Sequence, residues 1–290
     1  MNSQLWAEGM NARLSRQTYG KHEVHFSKVL RDENGSNHRF VQLAVDIELQ
    51  GDFDAAYTEA DNRSVIATDT CKNVVHNVAI DHNLASPESF GVGLTKHFVQ
   101  RYDHVQKASA RVRQTLWKTL AQCPHGFAVD ASLQPTAEVT TEKGTPPIVR
   151  GGVRDWIIAK TTQSGFANFH RDEYRTLPDT DDRILATSLT ASWRFSSLVE
   201  DHEAARRAVM DALATSFVDH YSHSVQETLM RMGSAALEAV AEIGSITLIM
   251  PNKHHIPIDM SAFGRENRNE LFTVSPEPYG YIEAEVVRPD

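Results

Sequence analysis

The residues of this sequence that invite a chemical reading are its histidines, a lysine, an arginine and a few side-chain amides. Fourteen histidines suggest metal ligation first, and His220 with His223 and the adjacent His254 and His255 are the pairs to weigh. Their spacing argues against it. An i, i+3 pair at a helix end arises often by chance, neighbouring strand residues point to opposite faces, and no Asp, Glu or Cys stands at a characteristic distance along the chain. No metal site is expected. Lys21 alone reads as a solvated lysine, and Arg183, opening a strand, as an exposed edge residue. The chain has no Walker loop, no GxGxxG after a strand, no HExxH and no nucleophile elbow, so the common nucleotide, cofactor and hydrolase signatures are missing.

The elements that must position these residues show in the apolar periodicity. Val41, Leu43, Val45, Ile47 and Leu49 alternate with polar residues, which predicts a strand with one buried face in an antiparallel sheet. Val24 and Phe26 begin a similar run, and Asn34-Gly35 between them is a hairpin turn signal. Helical spacing follows from about Thr68 to Ile80, then from Ser86 as N-cap and Pro87 at N1 through Phe90, Leu94, Phe98 and Tyr102. Ala108 to Leu116 reads as a strand, with Phe127 to Val139 as its return. The second half repeats this order. Trp156 to Thr161 and Leu185 to Phe195 read as strands, Val209, Leu213 and Phe217 and then Val225 to Val240 as helices, and Ile246 to Met250 and Tyr281 to Val287 as strands. Two tandem ββααββ units are therefore expected, 1–145 and 146–290, divided where Glu142 to Pro147 breaks regular structure. Each is an α+β unit with an antiparallel sheet and helices on one face. Sheets with open edges tend to be completed by a neighbour, so an oligomer is expected.

Composition bounds what such a molecule does. The chain has 290 residues, near-average apolar and charged fractions and no low-complexity tract, which suits a folded protein of two ordinary domains. A net charge of −9 without a Lys/Arg stripe argues against nucleic acid or an anionic membrane as partner, yet leaves room for an anionic small molecule held by a few placed cations. Cys71 and Cys123 form no CxxC pair. No stretch approaches the roughly 18 apolar residues of a membrane span, Met1 to Gly20 lacks an apolar leader, and the terminal Val-Val-Arg-Pro-Asp is no peroxisomal address; a cytoplasmic setting is expected.

Six separated segments stand out: Tyr19-Gly20-Lys21, Ser64 to Asp69, Phe166 leading to Arg171-Asp172-Glu173-Tyr174, Asp182 to Leu185, Ser224-Val225-Gln226, and Pro251-Asn252-Lys253-His254. Taken together, they resemble the urate oxidase family. Their order runs from Tyr19 to about Asp259, nearly the whole chain. The resemblance implies the tunnelling fold, in which chains carrying two ββααββ units pair into barrels and a homotetramer encloses a tunnel. It implies active sites between subunits, with Lys21, Thr68 and Asp69 of one chain facing Phe166, Arg183, Val225, Gln226 and Asn252 of another.

The residue types suit a flat purine anion edged with N–H and C=O groups. By resemblance Arg183 grips one edge bidentately, Gln226 pairs with the complementary edge, Phe166 stacks on the ring, and the backbone N–H groups of Val225 and Asp69 reach it. Lys21, with Thr68 and through it or water His254, resembles the family's proton relay. A lysine near its ordinary pKa of about 10.4 is a poor base at neutrality, so that role calls for burial and nearby positive charge. Asn252 with Thr68 is implied to hold the oxygen species. The implied reaction converts urate and O2 to 5-hydroxyisourate and hydrogen peroxide with no cofactor. A tunnelling-fold relative acting on a pterin or another purine would use similar edge recognition, and a non-catalytic urate-binding protein would keep Arg183, Gln226 and Phe166 without needing Lys21 and Thr68.

Overall fold

The computed structural model describes residues 12–197, 199–275 and 277–289. The stretch Met1 to Gly20, expected above to carry no apolar leader, lies partly outside the described residues, as does the final Asp290. The chain forms two compact units, Met1–Gly151 and Gly152–Asp290.

The first unit contains β1 (Tyr19–Arg31), β2 (His38–Gly51), α1 (Asp54–Thr58), α2 (Thr68–Asp81), α3 (Pro87–Arg101), β3 (Val105–Thr119), β4 (Phe127–Asp130) and β5 (Gln134–Glu142). Its sheet runs β1-β2-β3-β5, all antiparallel, with β4 on the far end of β3. One cross-strand row shows why the alternation was readable: Val24 pairs with Val45, Val45 with Val112 and Val112 with Ala137, and all four are buried. Helix α3 lays Phe90, Leu94 and Phe98, each fully buried, over this face. At Gly91 a Cβ would come within 2.7 Å of Val139 Cγ2, so the helix rides close to β5 only because that residue is glycine. The expected Ser86 cap is present, and with Ser89 it makes a reciprocal capping box.

Some elements differ from expectation. The Asn34-Gly35 connection is longer than a two-residue turn: Arg31 pairs with His38, and the Asp32 carboxylate gathers Ser36 and Asn37. The single return strand expected over Phe127 to Val139 is two strands, interrupted where Asp130 accepts the Ser132 N–H. Helix α1 had no readable signal, being five residues without a buried side chain.

The second unit contains most of β6 (Ile148–Lys160), then β7 (Leu185–Phe195), α4 (His202–Val218), α5 (Val225–Ala239), β8 (Ile243–Ile249), β9 (His254–Pro257), β10 (Phe272–Ser275) and β11 (Glu283–Val287). Its sheet runs β6-β7-β8-β11, and β9 and β10 form a separate hairpin-like pair. Leu185, Thr187, Leu189, Ala191, Trp193 and Phe195 share the buried face of β7, as the alternation predicts. Helix α5 buries Val225, Leu229, Met232 and Ala236, and Gly233 lets it approach β11, where a Cβ would meet Val286 Cγ2 at 2.5 Å. Strand β6 begins eight residues before the expected Trp156, because its first half mixes Gly and Arg and hides the period. No helix among the described residues is long and apolar enough to cross a membrane.

Candidate active site

The expected residues fall into two groups, one in each unit. In the first, Lys21 sits on β1 opposite Ile47, just before a bulge that shifts the register by Val24. Gly20 beside it is obligatory: a Cβ there would lie 1.8 Å from the Ile47 carbonyl oxygen. Tyr19, edge-on to Phe53 at 4.8 Å, accepts the Ile66 N–H on its hydroxyl at 2.9 Å and so ties the Lys21 strand to the loop leading into α2. Burial pushes the Tyr19 phenol up to about 12, which keeps this acceptor neutral. Helix α2 then opens with Thr68 and Asp69, both exposed, and Ala67 offers no capping side chain to its first N–H groups. The Asp69 carboxylate is held below the ordinary range chiefly by the Lys72 ammonium, 2.5 Å away, with a smaller contribution from the charge of Lys21. Lys21 therefore lies within electrostatic reach of the α2 start.

In the second unit Phe166, Arg183, Asn252 and His254 line one cavity of about 390 Å³, with Leu177, Ile184 and Phe272 among its apolar walls. The segment that carries Phe166 is irregular, and backbone hydrogen bonds place it. Phe166 and Thr180 exchange N–H to carbonyl bonds of 2.7 and 3.0 Å, Arg183 N–H donates to Ser164 at 2.8 Å, and Gly165 N–H donates to Ser222 at 2.8 Å. Phe166 is stacked on Phe169, centroids 4.5 Å apart and planes at 10°, with the Arg175 guanidinium 3.9 Å from the Phe169 ring. Asp179 holds Arg175 at 2.6 Å. The Arg183 guanidinium stands 5.2 Å from the Phe166 centroid, and burial draws its pKa below the ordinary value. Its Nε is buried without a hydrogen-bond partner.

Asn252 is fixed by its own N–H on Gly280, 2.9 Å, and by a bridge to Thr187 of β7, while His254 opens β9 opposite Ser275. Val225 and Gln226 do not line that cavity; they are the first residues of α5, Val225 buried and Gln226 exposed. Ser224 caps the helix by accepting Glu227 N–H at 3.1 Å, and the Ser222 carbonyl connects this start to Gly165 and so to Phe166. Sequence reasoning missed Phe169 and Arg175 behind the lid ring. The Phe-Ala-Asn-Phe spacing is visible, yet in an irregular segment no period says which ring meets which. Three of the four histidines weighed as ligands have other partners: His223 pairs with Glu227, His220 with Ser216 and Thr228, and His255 with the Lys253 carbonyl. No cluster of three or more His, Cys, Asp or Glu among the described residues could hold a metal.

Comparison with known proteins gives the family. The family model described as Uricase matches residues 17–146 and 149–283. The uricase of Arthrobacter globiformis is 38% identical over 280 residues, covering 97% of this chain and 91% of that protein. The uricase of Dictyostelium discoideum is 33% identical over 283 residues, covering 96% and 98%. The crystal structure of the Arthrobacter globiformis uricase superposes with a TM-score of 0.92 at 36% identity, covering 96% of each chain. Urate oxidase from Bacillus sp. TB-90 shares the fold, with a TM-score of 0.81 at 19% identity over 94% of this chain and all of that one. With both of its antiparallel units matched along nearly their full length, the chain belongs to the uricase family of oxidoreductases.

Proposed function

We propose that this chain oxidises urate with molecular oxygen, without metal or organic cofactor, yielding 5-hydroxyisourate and hydrogen peroxide. The observation that carries this reading is Arg183: a half-buried guanidinium whose Nε lacks a partner, beside a stacked aromatic ring, in a cavity of about 390 Å³. A charge withdrawn from water without its full set of acceptors is costly until an anion meets it. A planar purine anion supplies acceptors for Arg183 and a face for Phe166. Gln226 and the Val225 N–H serve the opposite edge, and Asp69 N–H contributes from the α2 start.

Lys21, with Thr68 and His254, removes a proton from the bound urate anion. The resulting dianion is electron-rich enough to pass electrons to O2 singly, and oxygen recombines with the ring as a peroxide adduct. Asn252 and Thr68 hold the oxygen species and then the water that displaces peroxide, so that urate, O2 and water give 5-hydroxyisourate and hydrogen peroxide. The active assembly in this reading is a homotetramer of chains with two tunnelling-fold domains, 1–145 and 146–290. Its sites lie between subunits, with Lys21, Thr68 and Asp69 of one chain serving Phe166, Arg183, Val225, Gln226 and Asn252 of another. The test is to add urate to metal-stripped protein in air and follow loss of its ultraviolet absorbance together with peroxide. Turnover undiminished by chelator is expected; turnover that vanishes with chelator and returns with a metal overturns the cofactor-free reading.

A further inference from the structure

Behind the start of α5 runs a hydrogen-bonded chain that the proposed reaction does not use. His220 Nδ1 lies 2.8 Å from the Ser216 carbonyl, and its Nε2 lies 3.0 Å from the Thr228 hydroxyl. Thr228 Oγ1 is 2.7 Å from Ser222 Oγ, which is 3.0 Å from the Ser224 carbonyl. Thr228 and Ser222 are fully buried. The chain thus ends on the residue that caps α5, immediately before Val225 and Gln226, and Ser222 also receives the Gly165 N–H next to Phe166.

With a neutral imidazole this hydrogen-bonded chain is one proton short. Both of its ends are carbonyl oxygens, which only accept. A neutral imidazole brings one proton and each hydroxyl brings one, three in all for the four contacts. With a neutral ring, one contact is left as two facing lone pairs. With both ring nitrogens protonated every contact is made: the ring donates to Ser216 and Thr228, Thr228 donates to Ser222, and Ser222 donates to Ser224. His220 meets solvent along a groove of about 720 Å³ between α4 and α5, from which a proton can arrive.

We propose that His220 is a positioning residue for substrate binding, its second proton locking the start of α5 through Thr228 and Ser222. This rests on the reading of Val225 and Gln226 as contacts to the substrate edge. The charged groups around the ring are Lys160 of β6, whose Nζ donates to the His220 carbonyl at 2.8 Å, Glu227, Arg231 and Glu238 of α5, and Asp211 and Asp219 on the α4 side. Burial and then Lys160 hold the ring below its ordinary 6.5, while Glu227 opposes them. The second proton is therefore taken up on the acid side of that value, and the helix start tightens as pH falls.

Thr228→Val keeps the side chain's shape and removes the hydroxyl, and Thr228→Ser restores it. The quantity to measure is the ratio of variant to wild-type KM for urate over the range in which histidines titrate, about pH 5 to 8, which cancels any titration of urate itself. For Thr228→Val we expect a ratio of about five at the acid end, the scale of one hydrogen bond. It should fall toward one at the alkaline end, with kcat changed less than about twofold, and Thr228→Ser should follow wild type. A ratio that is flat with pH, or a Thr228→Ser variant that fails like Thr228→Val, overturns the proposal. Gln226→Ala separates the two levels: if it raises KM while Thr228→Val does not, only the positioning role falls. If Gln226→Ala leaves KM unchanged, the reading of the α5 start falls and the positioning role with it.

Discussion

In the proposed site Arg183 joins a structural cost to a use. Its guanidinium is planar and forked, and a lysine at the same place would offer a point charge without the paired geometry. Arg183→Lys is therefore expected to raise KM for urate by about tenfold or more, on the scale of a lost charge-assisted hydrogen bond. A KM within twofold of wild type would remove Arg183 from the substrate edge. In the proposed reaction Asn252 makes a different demand, because the planar contacts do not need it. Asn252→Ala should lower kcat more than it alters urate binding, as single-turnover and binding measurements would separate. The two thiols also divide by environment. Cys71 is fully buried under the α2 start and burial pushes its pKa up to about 11, whereas Cys123 is half-exposed. In the native protein a thiol reagent should modify Cys123 well before Cys71, and peptide mapping after brief labelling reads the order.

At the scale of elements, the start of α5 concentrates the local chemistry. Ser224 caps it, Glu227 at N3 accepts from the His223 backbone N–H and ring, and Arg231 pairs with Glu227 from the next turn. Ser224→Ala should cost about 1 kcal/mol of stability, the usual value of such a cap. Glu227 is lowered from 4.5 to about 2, first by the His223 N–H and then by its ring. A carboxyl lowered on folding contributes stability that is complete above its unfolded value and disappears as pH falls through its folded one. Melting temperature should therefore lose the Glu227 contribution between 4.5 and about 2. Glu227→Gln should show a shallower acid decline over that interval, and identical declines would refute the assignment. Gly20 on β1 imposes a stricter condition, since the obstacle to any side chain is the Ile47 backbone. Gly20→Ala should displace the Lys21 strand and lower both melting temperature and turnover.

At the scale of the molecule, β1 ends the first unit's sheet and β11 ends the second's, leaving edge strands whose N–H and C=O groups seek partners. Sedimentation at assay concentration should give the mass of four chains, and dilution to single chains should abolish urate turnover; an active monomer would contradict shared sites. The legible part of this protein follows from period. Wherever a strand or helix buries one face, the apolar rhythm is written in the chain, and β2, β3, β7, α3 and α5 lie where that rhythm places them. No such rhythm marks Lys21, Thr68, Asp69, Phe166, Arg183, Val225, Gln226, Asn252 and His254 as site residues; only the resemblance of six separated segments to the urate oxidase family singled them out as candidates. What the chain could not say is which irregular backbone meets which. The Phe169 and Arg175 stack behind Phe166, the split of the return strand at Asp130, the β9–β10 pair and the His220 to Ser224 chain depend on contacts between segments far apart in sequence or without a repeat. A one-dimensional pattern records which face of an element is dry. The partner that covers that face, and the direction of each buried hydrogen bond, are settled only when the segments pack in three dimensions.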